Sequence, residues 1–415
     1  MMTSENKYKI QILCSLLRKY ETSTAFREAT PSRRRPQITL QNSSLASEYY
    51  DEMDYTKRET INASLRELEA EGIVTLVWPK YREQVEVTRI YIELDAIDRA
   101  YQLTGVTPRN TKITTLRAIM SQLLTHPWNW VASWAQSTDT LLRIRKSAGL
   151  DLDTLEVYDG LVRVLLALPL LTESIPRRVF SQRVLGDSKA FEQLLEKPLL
   201  RLLRENGPEE YATDEEYLDS VNIVTHPKLT LLAGQLEFAL NGAVVTLSAF
   251  PGGMGLYQQS IKTLSIISLP TAPILIVENL TTYYQALQQQ ASAWGLIVYA
   301  GGFPHSGTKQ LLGKLSALIN SKNPAVEISH WGDIDYGGIR IFEHLKETFF
   351  PSLRPYLMDT LTYFNHADQG IEFDEKYAEK LGSLLQADSY REWHPLLLEM
   401  LTRKIRVEQE SITPL

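Results

Sequence analysis

The stretch HWGDIDYGGIRIF, His330 to Phe342, puts two aspartates one residue apart and follows them with two glycines. The run before it, AVEISHW (Ala325 to Trp331), has the length and apolar content of a short buried strand. The run after it, GGIRIFEHLKETFF from Gly337, has helical spacing. A strand, a carboxylate-bearing turn and a helix form the unit from which open α/β sheets build ligand sites, at the carboxyl ends of their strands. Asp333 and Asp335 then suit a hard divalent cation, which takes carboxylate oxygen. The alternative is a helix cap, because Asp caps helices and Gly permits unusual backbone angles. Taken alone, the stretch leaves both readings open.

Its surroundings repeat the unit. PILIVEN (Pro273 to Asn279) is a continuous apolar strand followed by the helical LTTYYQALQQQASAW. GLIVYAGG (Gly295 to Gly302) is a second buried strand, followed by the helical SGTKQLLGKLSALIN (Ser306 to Asn320). LTYFN (Leu361 to Asn365) reads as a fourth strand. Strands alternating with helices predict a mostly parallel sheet with flanking helices. All its strand ends then share one edge, so Glu278, after the first strand, joins Asp333 and Asp335. Three like charges in one cleft are unfavourable without a cation, which favours a metal site over three separate caps. His305, Ser306 and Lys309 follow the second strand, where Lys309 suits a phosphate; His305 is expected to be an ordinary loop residue. His330 and Trp331 are expected to pack, and Arg340 to pair with an acid or face DNA.

Upstream the pattern changes. SSLASEYYDEM (Ser43 to Met53) forms a short helix, and YTKRETINASLRELEAEGIVTLVW (Tyr55 to Trp78) a helix with Ile61, Leu65 and Leu68 on one face, then a strand. EVTRIYIEL (Glu86 to Leu94) is a second strand. Helix, helix and two-stranded ribbon is the layout of a winged helix. Thr56, Lys57, Arg58, Asn62, Ser64 and Arg66 would then line its exposed recognition helix; the same layout also serves protein contacts. Residues 110–217 are helical, and ENGPEEYATDEEYLDS (Glu205 to Ser220) marks an acidic boundary or exposed turn. The expected division is a winged-helix-like domain at 1–105, a helical middle region at 106–225, a connecting segment at 226–270 and the catalytic α/β domain at 271–415.

The chain has 415 residues, a net charge of −7, 44% hydrophobic and 22% charged residues, which is the profile of an ordinary globular protein with room for two to four domains. Nothing resembles a membrane span or a secretion signal, and the lone Cys14 excludes an intrachain disulfide framework and a cysteine-rich zinc site. A cytoplasmic setting is expected. The negative total excludes a general nucleic-acid coat but not local basic patches, of which SRRRP (Ser32 to Pro36) and RIRK (Arg143 to Lys146) are the densest.

LIVEN, followed 55 positions after its glutamate by the DID of WGDIDYGG, resembles the Toprim domain of topoisomerases, primases and some nucleases. ILIVENLTTYY, YAGGFPHSG, HWGDIDYGGIRIF and the terminal IRVEQE are similar, more closely, to the nuclease subunit of Wadjet anti-plasmid systems, the JetD or MksG type, itself related to the A subunit of topoisomerase VI. The resemblance is strong from Pro270 onward. It implies a homodimeric, metal-dependent endonuclease that cuts double-stranded DNA supplied by an SMC-like complex (JetABC or MksBEF type). Carried over, Glu278 is the Toprim glutamate and Asp333 and Asp335 the Mg²⁺- or Mn²⁺-binding pair. Glu408 and Glu410 match the family-like ending, with Glu410 a further candidate ligand. Lys57, Arg58, Arg66 and Lys309 are the candidate DNA contacts. A topoisomerase VI-like tyrosine mechanism would draw on Tyr49, Tyr50 or Tyr55, but their acidic neighbours Glu48, Asp51, Glu52 and Asp54 receive a phosphate poorly. A haloacid-dehalogenase-like phosphatase leaves Glu278 unexplained, and a non-cutting DNA adaptor leaves all three carboxylates unexplained.

Overall fold

The structure is a computed structural model that describes residues 4–28, 35–80, 85–289, 293–322 and 325–412. The chain divides into two compact units, Met1–Leu165 and Leu166–Leu415, so the helical middle region is shared between them. Among the described residues no helix is long and apolar enough to cross a membrane.

In the first unit, helix Ser4–Glu21 packs on helix Tyr55–Ala70, which buries Ile61, Leu65 and Leu68 at the expected spacing. Asp54 caps the second helix by accepting from Thr56 N, 3.0 Å away. A three-stranded antiparallel sheet (Gln37–Ile38, Val74–Val77, Arg89–Ile92) closes that core, with the last strand in the middle. Helices Arg109–Met120 and Asn129–Arg143 continue this unit around a second apolar cluster of Phe26, Ile113, Leu116, Met120, Leu142 and Leu152.

The second unit is built on a six-stranded mixed sheet. In chain order its strands are β1 (Leu229–Gly234), β2 (Met254–Tyr257), β3 (Ile274–Val277), β4 (Leu296–Tyr299), β5 (Ile328–Trp331) and β6 (Arg354–Pro355). Their spatial order is β6-β5-β3-β4-β1-β2; the first three pairings are parallel and the last two antiparallel. All four residues of β3 are buried, as the unbroken apolar run requires of a central strand. Helices α1 (Leu280–Gln289), α2 (Ser306–Lys322) and α3 (Tyr336–Thr348) follow β3, β4 and β5. The segment 226–270 therefore supplies two strands to this sheet and three to a small antiparallel one, whose Asn241-Gly242 turn has both residues at positive φ (50° and 84°).

LTYFN is not a strand. Thr360–His366 is helical, capped by Asp359, whose Oδ1 accepts from Thr362 N at 2.8 Å. The helix buries Tyr363, whose hydroxyl donates to Ile405 O at 3.1 Å; that tertiary fit overrides the β preference of Thr, Tyr and Phe. The fourth parallel strand is β6 instead, where Pro355 is tolerated because it lies on the sheet edge.

Candidate active site

Register brings the first two carboxylates together. Val277 is level with Trp331, so the chain leaves β3 at Glu278 and β5 at Gly332 side by side. Glu278 N donates to Trp331 O at 2.9 Å, and Asp333 N to Glu278 Oε2 at 3.3 Å. The glycines serve close approach. A Cβ on Gly332 would lie 2.5 Å from Glu278 Oε2, and one on Gly338 2.2 Å from Asp333 O. The cap and cation readings divide between the aspartates. Asp335 is the N-cap of α3, accepting from Gly338 N at 2.7 Å, whereas Asp333 stands before the helix and faces Glu278.

The C-terminal IRVEQE closes the site from the other side. Ile334 and Val407 exchange two backbone hydrogen bonds of 2.9 and 3.1 Å. Gln409, fully buried, then donates its backbone N–H to Asp333 Oδ1 and its side-chain Nε2–H to Trp331 O, both at 2.6 Å. Its Oε1 accepts from Asn279 N at 2.9 Å, so one amide joins both strand ends. Glu410 Oε1 accepts from Asn279 Nδ2 at 2.5 Å, and Glu408 stands 3.9 Å from Arg406. Arg406 also lies 3.7 Å from Asp335 Oδ2, which accepts from the Tyr377 hydroxyl at 3.4 Å.

The electrostatics are those of crowded carboxylates. Burial, then the charges of Asp333 and Asp335, push Glu278 well above the usual range. Burial and Asp335 push Asp333 up to about 7, with Glu410 and Glu408 adding to the rise. Burial also raises Asp335, against the opposing pull of Gly338 N–H, Arg406 and Tyr377. Among the described residues no three His, Cys, Asp or Glu side chains stand close enough to enclose a metal ion. Asp335 is engaged as a cap and by Arg406. The donor set fits a cation held by one or two carboxylates with the rest of its shell water, the habit of Mg²⁺, and does not fit a closed protein cage.

Two features escape a reading of strand ends. Glu216 closes the capping box of helix Asp214–Ser220, and its charge reaches Glu278; a Cβ on Gly302 would lie 2.6 Å from its Oε1. The acidic 205–217 stretch is therefore part of the site's rim rather than a free boundary. Arg340 fastens it, donating to Glu210 O at 2.7 Å and pairing with Glu209 at 2.5 Å, while Lys380 and the Tyr336 hydroxyl hold the Glu210 carboxylate. Arg340→Ala is expected to cost about 2 kcal/mol by thermal melting, because a half-buried charged donor loses Glu209, Glu210 O and its seats over the Phe303 and Tyr336 rings. Lys309 is largely buried, which depresses its ammonium pKa against the opposing charge of Glu209. His305 is a satisfied local residue: Nδ1 accepts from Gly307 N at 3.2 Å, and burial lowers its pKa to about 4.

In the first unit, Lys57 and Arg66 lie on the exposed side of helix Tyr55–Ala70, while Arg58 is half-buried, donating to Tyr49 O at 2.9 Å. Asn62 and Ser64, expected at the exposed side, are buried. Ser64 bonds Thr60 O and Glu5 O, and Asn62 accepts from the Tyr49 hydroxyl at 2.8 Å. The Tyr49 oxygen also accepts from Val87 N, and burial pushes its pKa to about 12; Tyr50 and Tyr55 are exposed. Of SRRRP, Arg35 pairs with Glu93, and residues 32–34 lie outside the described residues.

The family model described as "Wadjet protein JetD, C-terminal" matches residues 238–414. The Wadjet protein JetD of Bacillus cereus (strain Q1) is 38% identical over 406 residues, covering 98% of this chain and 98% of that protein.

Proposed function

The chain belongs to the Wadjet JetD family, and from that premise we propose that it is a metal-dependent endonuclease that hydrolyses double-stranded plasmid DNA in anti-plasmid defence. It acts as a homodimer in the cytoplasm, on DNA delivered by an SMC-like complex of the JetABC or MksBEF type. Residues 271–415 are read as a Toprim domain, 226–270 as its connecting segment, 106–225 as a helical arm and 1–105 as a winged helix whose Lys57, Arg58 and Arg66 contact DNA. The observation that carries the reading is the Glu278–Asp333 pair at the carboxyl edge of β3 and β5, with Asp333 raised to about 7. Such a pair is poorly placed until a cation neutralises it.

Glu278 and Asp333 would hold Mg²⁺ or Mn²⁺, with Asp335 and Glu410 behind them. The bound cation supplies charge neutralisation on the phosphate and a water of lowered pKa. The protein's part is orientation. Gln409 and the Asp333 N–H fix both carboxylates, Asp335 locks the turn onto α3, and Lys309 offers a cation to phosphate. Hydrolysis is favoured over tyrosine transesterification because the Tyr49 hydroxyl is committed to two internal hydrogen bonds and the exposed Tyr50 and Tyr55 stand among the acidic Glu48, Asp51, Glu52 and Asp54.

Closed circular plasmid, incubated with the purified chain and its SMC-like partners, should become linear only with Mg²⁺ or Mn²⁺. The ends should be free of protein, and Glu278→Ala should yield no product. Protein-linked ends would establish the tyrosine mechanism; DNA binding without cutting in every arm would establish the adaptor.

A further inference from the structure

We propose that the first unit carries a phosphate-binding pocket, separate from helix Tyr55–Ala70, formed where the loop 144–149 meets the start of helix Arg109–Met120. The cavity is about 420 Å³ and is lined, among the described residues, by Arg27, Arg109, Arg145 and Lys146 against one carboxylate, Glu21. That carboxylate already accepts from the Tyr101 hydroxyl at 2.9 Å. Asp153, the other acid whose field meets Arg109, is held by Lys112. Among the described residues Arg27, Arg109 and Lys146 have no ion-pair partner, and the Arg109 Nε is buried without a hydrogen-bond acceptor. A buried guanidinium N–H without an acceptor is unfavourable, and converging cations repel; an oxyanion relieves both.

The backbone makes the same point. Helix Asn129–Arg143 ends in a Schellman turn, with Lys146 N donating to Leu141 O at 3.0 Å and Arg145 N to Leu142 O at 2.9 Å. The left-handed position of that turn usually carries glycine, and here it is Arg145 at φ 57°; Ala148 follows at φ 54°. A non-glycine residue there carries a steric cost, because its Cβ crowds the following carbonyl oxygen. Arg145 spends it on position: its Nη1 donates to Phe26 O at 2.6 Å, and its guanidinium lies over the Phe26 ring beside the cavity. Pairing with phosphate in this geometry suits guanidinium groups, which present parallel N–H donors. Phosphate here has two sources, the backbone of duplex DNA and a free nucleotide.

The test is binding, independent of any cutting. The full chain and two variants, the double Arg27→Ala/Lys146→Ala and the single Arg145→Gly, are titrated by fluorescence anisotropy with a labelled 30-base-pair duplex, at several salt concentrations, and with a labelled ATP in EDTA. Arg145→Gly places the favoured residue at the left-handed position, so a fold-preserving variant is included. If the phosphates come from DNA, the double variant binds duplex about tenfold more weakly and its salt slope falls by about two. If they come from a nucleotide, ATP binding is lost while duplex affinity stays. Unchanged affinity for both probes in variants that melt with the wild type overturns the proposal.

Discussion

Asp333→Asn is expected to melt roughly 5–10 °C above the wild-type chain at pH 8 in EDTA, and to cut plasmid roughly a thousandfold more slowly with Mg²⁺. The stability half follows from linkage. Asp333 titrates near 3.8 when unfolded and at about 7 when folded, so between those values the folded state holds the extra proton. Stability from this group is present at low pH and falls as pH rises through that window. At pH 8 the loss is on the order of 2–4 kcal/mol, part of it shared with Glu278. Asparagine removes the charge and keeps the Oδ1 that accepts from Gln409 N. The gap should narrow as pH falls and close near pH 4. Mg²⁺ should then raise the melting temperature of the wild type at pH 8 and leave the variant where it was. A variant that melts with or below the wild type at pH 8 would mean that the carboxylates are not under mutual strain, and the cation reading would lose its support.

The parts of this site visible in the sequence are those set by local patterning. The apolar run before Glu278 is continuous because β3 is covered on both faces, β5 before Asp333 is mostly buried, and two such strands in one parallel sheet end on one edge. Gly337 and Gly338 were legible as permitting unusual backbone angles, yet neither has a positive φ; Gly338, like Gly332 ahead of Asp333, instead leaves room for neighbouring atoms that only the fold supplies. The Asn-Gly at 241–242 is a strong hairpin signal that marks strands upstream of Pro270, where the alternation of strand and helix had not yet begun. Glu216 was beyond reach for a different reason, and the expectation that Arg340 pairs with an acid or faces DNA could not name Glu209 as that acid. Each acts across a large sequence separation, and a capping box or a helix arginine looks the same whether or not it borders a site.

Gln409 was the least visible of all, since an amide carries no charge and follows no ligand spacing, yet it touches both strand ends. Gln409→Ala is expected to lower cutting 10–100-fold and to lower thermal stability by about 2–4 kcal/mol, because Trp331 O and Asn279 N lose their buried partner. Stability alone does not define its role. With the amide gone, the backbone N–H that orients Asp333 Oδ1 is no longer anchored, so the Mg²⁺ concentration for half-maximal cutting should rise at least roughly tenfold, and excess Mg²⁺ should restore part of the rate. A residue that merely packs would reduce the folded fraction and leave that midpoint unmoved. The measurement is therefore a Mg²⁺ titration of plasmid cleavage below the variant's melting range. A shifted midpoint makes Gln409 a positioning residue that aims Asp333 at its cation, and an unshifted one reduces the terminal segment to a structural latch.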